Sequence, residues 1–295
     1  MTVNKWVLSV CAGALVSIVA GPAFADGRGN NGQCSGLPNW QALKTALVNV
    51  VAAAGNGGLG FNMWGTLVAN DGTVCAVAFS GSQYTHQWLG SRVISAQKAN
   101  TANDFSLGAG TTPASSLFGT KGLALSTANL FTAVQPGGSL YGLQHSNPVA
   151  TEIAYGNFGN GNQPSDPGTF GTPNDPMVGL RVGGVNVFGG GLGAYVRGNK
   201  VGGVGVSGDT SCTDHMVAWK VRNALGLDQL GTVAGVSGDA ARPDNIVFDI
   251  MANPDGTGGT GQAPNGTGGV GQSAGGFGHP KCLNNPNPAT LPPVH

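Results

Sequence analysis

Apolar side chains along this chain recur with two periods. From Trp40 to Ala54 they fall at Trp40, Leu43, Leu47, Val50 and Val51, and Gly55 follows. Spacings of three and four residues predict an amphipathic helix, with the glycine as its stop. Met63–Ala69 and Thr73–Phe79 are dense in apolar and β-branched residues, and Asn70-Asp71-Gly72 separates them. An Asp-Gly pair between two such runs predicts a β-hairpin, because the favoured tight turn needs residues that accept positive φ. The helical period returns at Gln87–Phe105, with Leu89, Val93, Ala96, Ala99, Ala102 and Phe105 on one stripe. A shorter helical run, Ser126–Val134, ends at Pro136-Gly137-Gly138. Residues 138–172 read as turn-rich loop. Strand signals resume at Val178–Phe188 and at Ala194–Val206, with Gly198-Asn199 as a turn inside the second. A helix follows over Thr213–Leu225, capped by Thr213 or Asp209 and closed by Gly226. Asn245–Ile250 is a last strand-like run.

Strands in this order are joined as hairpins more than through single helices. That predicts an α+β fold: a central antiparallel sheet with flanking helices, long loops and a glycine-rich C-terminal tail. It argues against a doubly wound nucleotide-binding fold. Between Gly256 and Gly278, 11 of 23 residues are glycine, too few side chains to build a core. The segment reads as a linker that carries Cys282 back to the domain. At the other end, Lys5 precedes the apolar run Trp6–Ala20 and then Ala23-Phe24-Ala25. A positive start, a short apolar stretch and a small-x-small site make a signal peptide cut after Ala25, and the run is shorter than a membrane span needs. The expected division is therefore signal peptide 1–25, folded domain 26–250 and tail 251–295, in a periplasmic or secreted protein.

Composition narrows the function. Lys and Arg number 13, as do Asp and Glu, and charged residues are only 9% of the 295. No basic surplus exists to neutralise phosphates, which argues against a nucleic-acid partner. Apolar residues at 40% supply a core despite 53 glycines. Outside the leader the cysteines are Cys34, Cys75, Cys212 and Cys282. Their wide spacing lacks the close pairs of a zinc site, and an even number suits an oxidising compartment. Three pairings are open. The expectation is Cys212–Cys282, which pins the tail, with Cys34–Cys75 tying the lead segment to the hairpin.

Several residues are candidates for chemistry. Gly203-x-Gly205-x-x-Gly208 spells a dinucleotide fingerprint that includes Ser207, but no βαβ unit with a following acidic residue supports it. The competing reading is a glycine-rich strand packed closely on a helix. Ser207 and Ser237 suggest a nucleophile, with Asp214 and His215 near in sequence, yet Asp209 and Asp239 stand where a nucleophile elbow needs glycine. None of the five histidines pairs at metalloprotease spacing. His215, in the first turn of its helix, is the first candidate metal ligand, and His145, in a loop, the second. Lys98 is charged within an alanine-rich helix and is either a cation for a ligand carboxylate or a solubilising surface residue. Trp64, Tyr84, Trp88 and Trp219 line either a pocket or the core.

Gln97-Lys-Ala-Asn-Thr-Ala-Asn-Asp-Phe105, Leu140-Tyr-Gly-Leu-Gln-His-Ser-Asn-Pro148 and Gly202-Gly-Val-Gly-Val-Ser-Gly208, in that order, resemble the GlcG/HbpS-like haem-binding family over about Trp40 to Leu227. The resemblance implies an α+β domain, a homo-oligomer and a bound haem, in a protein for haem capture, storage or sensing. Because some members are haem-degrading, an enzyme acting on haem or on a small organic acid is the alternative, and a ligand-free interaction module the second. Under this reading His215 or His145 ligates iron, Lys98 meets a propionate, and Gly203, Gly205 and Ser207 lie against the ligand. The leader, residues 109–122, the loop 155–176 and the chain after Arg242 depart from the short family form.

Overall fold

The computed structural model describes residues 32–111, 122–156, 166–250, 276–284 and 286–295. The proposed signal peptide and most of the glycine tail lie outside these residues. Four strands, β1 (Trp64–Ala69), β2 (Val74–Phe79), β4 (Gly191–Val196) and β5 (Asn199–Ser207), form one sheet in the order β2-β1-β5-β4. Every neighbouring pair in it is antiparallel, so the expected central antiparallel sheet is present. Short pairs lie outside it: β3 (Leu123–Ala124) with β6 (Ala234–Gly235), and β7 (Phe248–Ile250) with β8 (His279–Pro280).

Helices cover both faces. On one side α1 (Trp40–Ala52) and α5 (Ser211–Ala224) bury Leu43, Leu47, Val217 and Trp219 against Leu67, Ala76, Leu192, Val204 and Val206. Asn39 caps α1 by accepting from the Ala42 amide, and Thr210 caps α5 by accepting from that of Thr213. The α5 cap is thus Thr210, because Thr213 already stands inside the first turn and Asp209 accepts from Leu59, Phe61 and Thr210 instead. On the other side lies α2 (Ser91–Asp104), and here the strands present glycines. A β-carbon at position 205 would sit 1.9 Å from the Ser95 carbonyl oxygen, and one at 203 would sit 2.1 Å from that of Ala99. Gly191 meets the Lys98 carbonyl in the same way. Helix and sheet backbones approach so closely because neither side carries bulk: Ala96, Ala99 and Ala102 face them, all fully buried. The remaining helices are α3 (Thr127–Ala133) and the short α4 (Thr151–Tyr155).

Three elements differ from the sequence expectation. Helix α2 starts at Ser91 rather than Gln87, since the Gln87 carboxamide donates to the carbonyls of Asn62 and Gly208 and holds the entry out of the helix. Leu89, placed on the buried stripe by periodicity, is 65% exposed. Residues 178–188 form no named strand: Gly179, Gly183 and Gly184 take positive φ, leaving isolated bridges at Arg181 and Gly183. The β4–β5 turn sits one residue early, at Arg197-Gly198, with φ of 51° and 76°.

The disulfides are Cys34–Cys75 and Cys212–Cys282, the expected pairing. The chain end also packs inward. Leu291 is 1% exposed within the α1/α5 core, and the Trp219 indole donates to the Pro292 carbonyl. Among the described residues no helix is long and apolar enough to cross a membrane.

Candidate functional site

A cavity of about 540 Å³ opens where α1 begins and β2 ends. That is within the size range of small-molecule sites. Its walls carry Trp40, Lys44, Phe79, Tyr84 and Phe170. Trp40 and Lys44, one helical turn apart on α1, share a face of that helix. Phe79 is the last residue of β2 and stacks on Trp64, ring centroids 4.5 Å apart. Tyr84 opens the 3-10 helix Tyr84–His86, and its ring meets Phe170 edge-on at 5.8 Å. The far wall is the turn at 167–172, held by several hydrogen bonds. Asp166 accepts from the Gly168 amide, and the Trp40 indole donates to the Gly171 carbonyl at 2.9 Å. Gly171 has φ +70°, and a β-carbon there would press on Phe79 and Trp64 at 3.0 Å, so only glycine lets the wall close over the rings.

The lining holds one ionised group. Among the described residues no aspartate or glutamate lines it, and Lys44 donates to the carbonyls of Phe79 and Gly81. Partial burial pulls its ammonium below the ordinary lysine range. Two of its three N–H bonds are used, leaving one for a ligand. Phe170 is fixed from behind by the Arg92 guanidinium, 4.0 Å from the ring centroid, and Arg92 is itself paired with buried Asp175. Gln83 and Thr85 line the cavity, exposed His86 and Trp88 come next, and Trp88 meets Phe61 edge-on at 5.3 Å.

The residues singled out in the sequence lie elsewhere, and mostly inside. Gly203 and Gly205 leave room, but α2 fills it, so the close-packing reading is the one the structure shows. Ser207 is buried on β5, 3% exposed. Lys98 is fully buried. Its ammonium lies 2.7 Å from Asp214 Oδ2, 3.1 Å from the Val206 carbonyl and 4.3 Å from the centre of the Phe188 ring. The surface-lysine reading fails, and its charge is answered within the protein. Burial pushes both partners toward their neutral forms, Lys98 down and Asp214 up to about 6. His215 neighbours Asp214 but has no exposed surface; its Nε2 accepts from the Ile246 amide at 3.1 Å. A macrocycle could reach its ring only by displacing Trp219 or the Asn245–Ile246 segment packed on it. Burial depresses its pKa to about 4. His145 is exposed at the end of a 3-10 helix, Leu143–His145. Among the aromatics noted, Tyr84 lines the cavity, Trp64 backs it, Trp88 extends its rim and Trp219 belongs to the core. Trp40, Lys44 and Phe170 carried no local motif. Trp40 was visible only as a helix position, and Phe170 lay in unpatterned loop.

No family model matches the sequence, and no curated protein matches it. Among solved structures the chain is similar to the complex of PduOC with haem, at 20% identity over 65% of this chain and 94% of that one, with a TM-score of 0.39. It is also similar to the Klebsiella pneumoniae protein ORFY, at 22% identity over 63% and 89%, TM-score 0.37. A double mutant of Streptomyces reticuli HbpS is similar at 14% identity over 74% and 98%, TM-score 0.34.

Proposed function

We propose that this chain is an exported haem-binding protein and that the cavity between α1 and the 167–172 turn is where the ligand sits. The observation that carries this reading is the lining: among the described residues, four aromatic rings around one cation and no acid. Flat apolar rings favour a planar apolar ligand through burial and stacking. A single ammonium without a competing carboxylate favours a ligand that carries its own. Haem combines both features in its macrocycle and propionates. Trp40, Phe79 and Phe170 would flank the ring system, and Lys44 would meet a propionate. Tyr84 in the lining, or exposed His86 just beyond it, would hold the iron, since phenolate and imidazole both ligate haem iron. Bound haem supplies an iron open to ligation, redox change or signalling.

The family resemblance of the three sequence motifs supports the same ligand. The leader pattern supports export, and two disulfides are compatible with it. A role in capture, storage or sensing follows from binding without turnover.

The test is haemin titration of purified protein, followed at the Soret band, for wild type, Phe170→Ala, Lys44→Gln and His145→Ala. Expected is saturable binding by wild type and His145→Ala, with affinity reduced about tenfold or more by Phe170→Ala and by Lys44→Gln. Such a drop is about 1.4 kcal/mol, in the range of a lost aromatic or charge-assisted contact. Unchanged binding by both cavity variants would remove the site, and selective loss in His145→Ala would move it. Decay of the Soret band when reductant and oxygen are added would favour a haem-degrading enzyme.

A further inference from the structure

His279 lies away from the cavity, on the short strand β8, and its ring is held by two polar contacts. Nδ1 is 2.6 Å from the Pro280 carbonyl oxygen. A carbonyl only accepts, so Nδ1 carries the proton and Nε2 bears the lone pair. Nε2 is 2.6 Å from Ser211 Oγ, which therefore donates to it. Burial keeps the imidazole neutral, with its pKa lowered to about 4, and buried Lys98 adds to the same direction. His279 is 2% exposed, whereas Ser211 in front of it is half-buried and reaches solvent.

The surroundings fix the hydroxyl. The Gly189 amide donates to Ser211 Oγ at 2.6 Å. A β-carbon at Gly189 would lie 2.1 Å from the Ser211 carbonyl oxygen, so the approach requires glycine. Ser211 is the first residue of α5, and its own amide is a first-turn N–H with no carbonyl inside the helix to meet. The Cys212–Cys282 disulfide ties the next residue of that helix to the segment carrying His279. Ring nitrogen and both sulfurs lie within 4.8 Å of one another. Because the sulfurs are bonded to each other they are not thiolate ligands, and the bridge acts as the clamp that seats His279 behind Ser211.

We propose that Ser211 and His279 form a nucleophile–base pair for acyl transfer from small uncharged esters. A hydroxyl hydrogen-bonded to a neutral imidazole whose far nitrogen is oriented by a third group is the arrangement that activates serine. Ser211 Oγ attacks the ester carbonyl carbon and forms the new C–O bond while its proton passes to His279 Nε2. Collapse breaks the ester C–O bond, and the same proton goes to the departing alkoxide. Water, deprotonated by Nε2, then attacks the acyl-serine and releases it. The sum is ester plus water to carboxylic acid plus alcohol, with no change of oxidation state. Half-buried Ser211 takes the substrate from the solvent side, and its amide at the positive end of α5 is the donor for the developing oxyanion.

The test uses the full oxidised protein and a fluorophosphonate probe, read by intact mass and peptide mapping. Displacement of fluoride by Oγ should leave one adduct, on Ser211. Labelling should run at least about a hundredfold faster than in guanidinium-unfolded protein, the usual scale of a general base. Ser211→Ala should abolish the adduct. His279→Gln should slow it by a similar factor, with partial rescue by added imidazole and the melting temperature measured alongside. No adduct on the folded protein, an adduct on another residue, or a Ser211 adduct no faster than in the unfolded chain would each overturn the proposal. If His279→Gln does not fold, the folded-against-unfolded comparison in wild type decides.

Discussion

At the scale of single residues, the interior of this protein is unusual in the polar groups it encloses. His215 and His279 are buried and neutral, with pKa values lowered to about 4 from 6.5 by burial. Asp244 and Arg222 act on His215 with opposite signs, and Lys98 faces His279. In the unfolded chain both rings take up protons below about 6.5, while the folded rings do not until about 4. The unfolded state then binds more protons across that window, so stability is fully present above about 6.5 and falls as pH drops toward 4. Each histidine contributes on the order of 3 kcal/mol to that loss. Chemical denaturation at pH 7 and at pH 4.5 measures it. His215→Gln should flatten the slope, and an unchanged midpoint across the range would contradict the burial argument.

The Lys98–Asp214 pair makes a second residue-scale case. Both side chains are essentially inaccessible, and among the described residues the ammonium meets Asp214, one carbonyl and an aromatic face. Removing one partner leaves a buried charge unanswered, which costs about 3–5 kcal/mol. Lys98→Met and Asp214→Asn should each be destabilised by that much. The double variant should recover most of it, because the desolvation penalty goes with the charges. Additive losses in the double variant, measured by urea denaturation, would show that the two groups are not coupled.

At the scale of elements, what was legible followed from local rules. The hairpin at 64–79 was readable because Asp71-Gly72 satisfies the turn on its own, and Gly72 has φ +82°. Helices α1, α3 and α5 announced themselves by spacing and stop signals. The run 178–188 misled because apolar content does not reveal that glycines 179, 183 and 184 will adopt left-handed backbone. Gly203 and Gly205 carried a true signal with two meanings, and which one holds depends on Ser95 and Ala99, far away in sequence: only the fold places α2 over them. Three disulfide pairings were open in the sequence, and the expected one, which the structure shows, rested on the need to anchor the glycine-rich tail. Closing about 70 residues stabilises by about 4 kcal/mol in the chain-entropy description. Cys282→Ser should lower stability by about that amount, against a smaller loss if the bridge closes a segment already held by Leu291. The comparison with Leu291→Ala, by thermal melting, separates the two anchors.

At the scale of the whole molecule, the cavity is assembled from pieces distant in sequence. Trp40 and Lys44 come from the first helix, Phe79 and Tyr84 from the end of the hairpin, and Phe170 from a turn. No motif spans them, so no local pattern in the chain pointed to the site. Of the histidines and glycines that stood out in sequence, His215, Gly203 and Gly205 are used for the interior, and His145 lies exposed away from the cavity. These dispersed rings and one lysine are where we propose that haem binds. Difference spectroscopy of the purified wild-type protein titrated with haemin tests this. A shifted Soret band that saturates at one haem per chain is expected. Absorbance that rises linearly with haemin, with the spectrum of free haemin throughout, would contradict it.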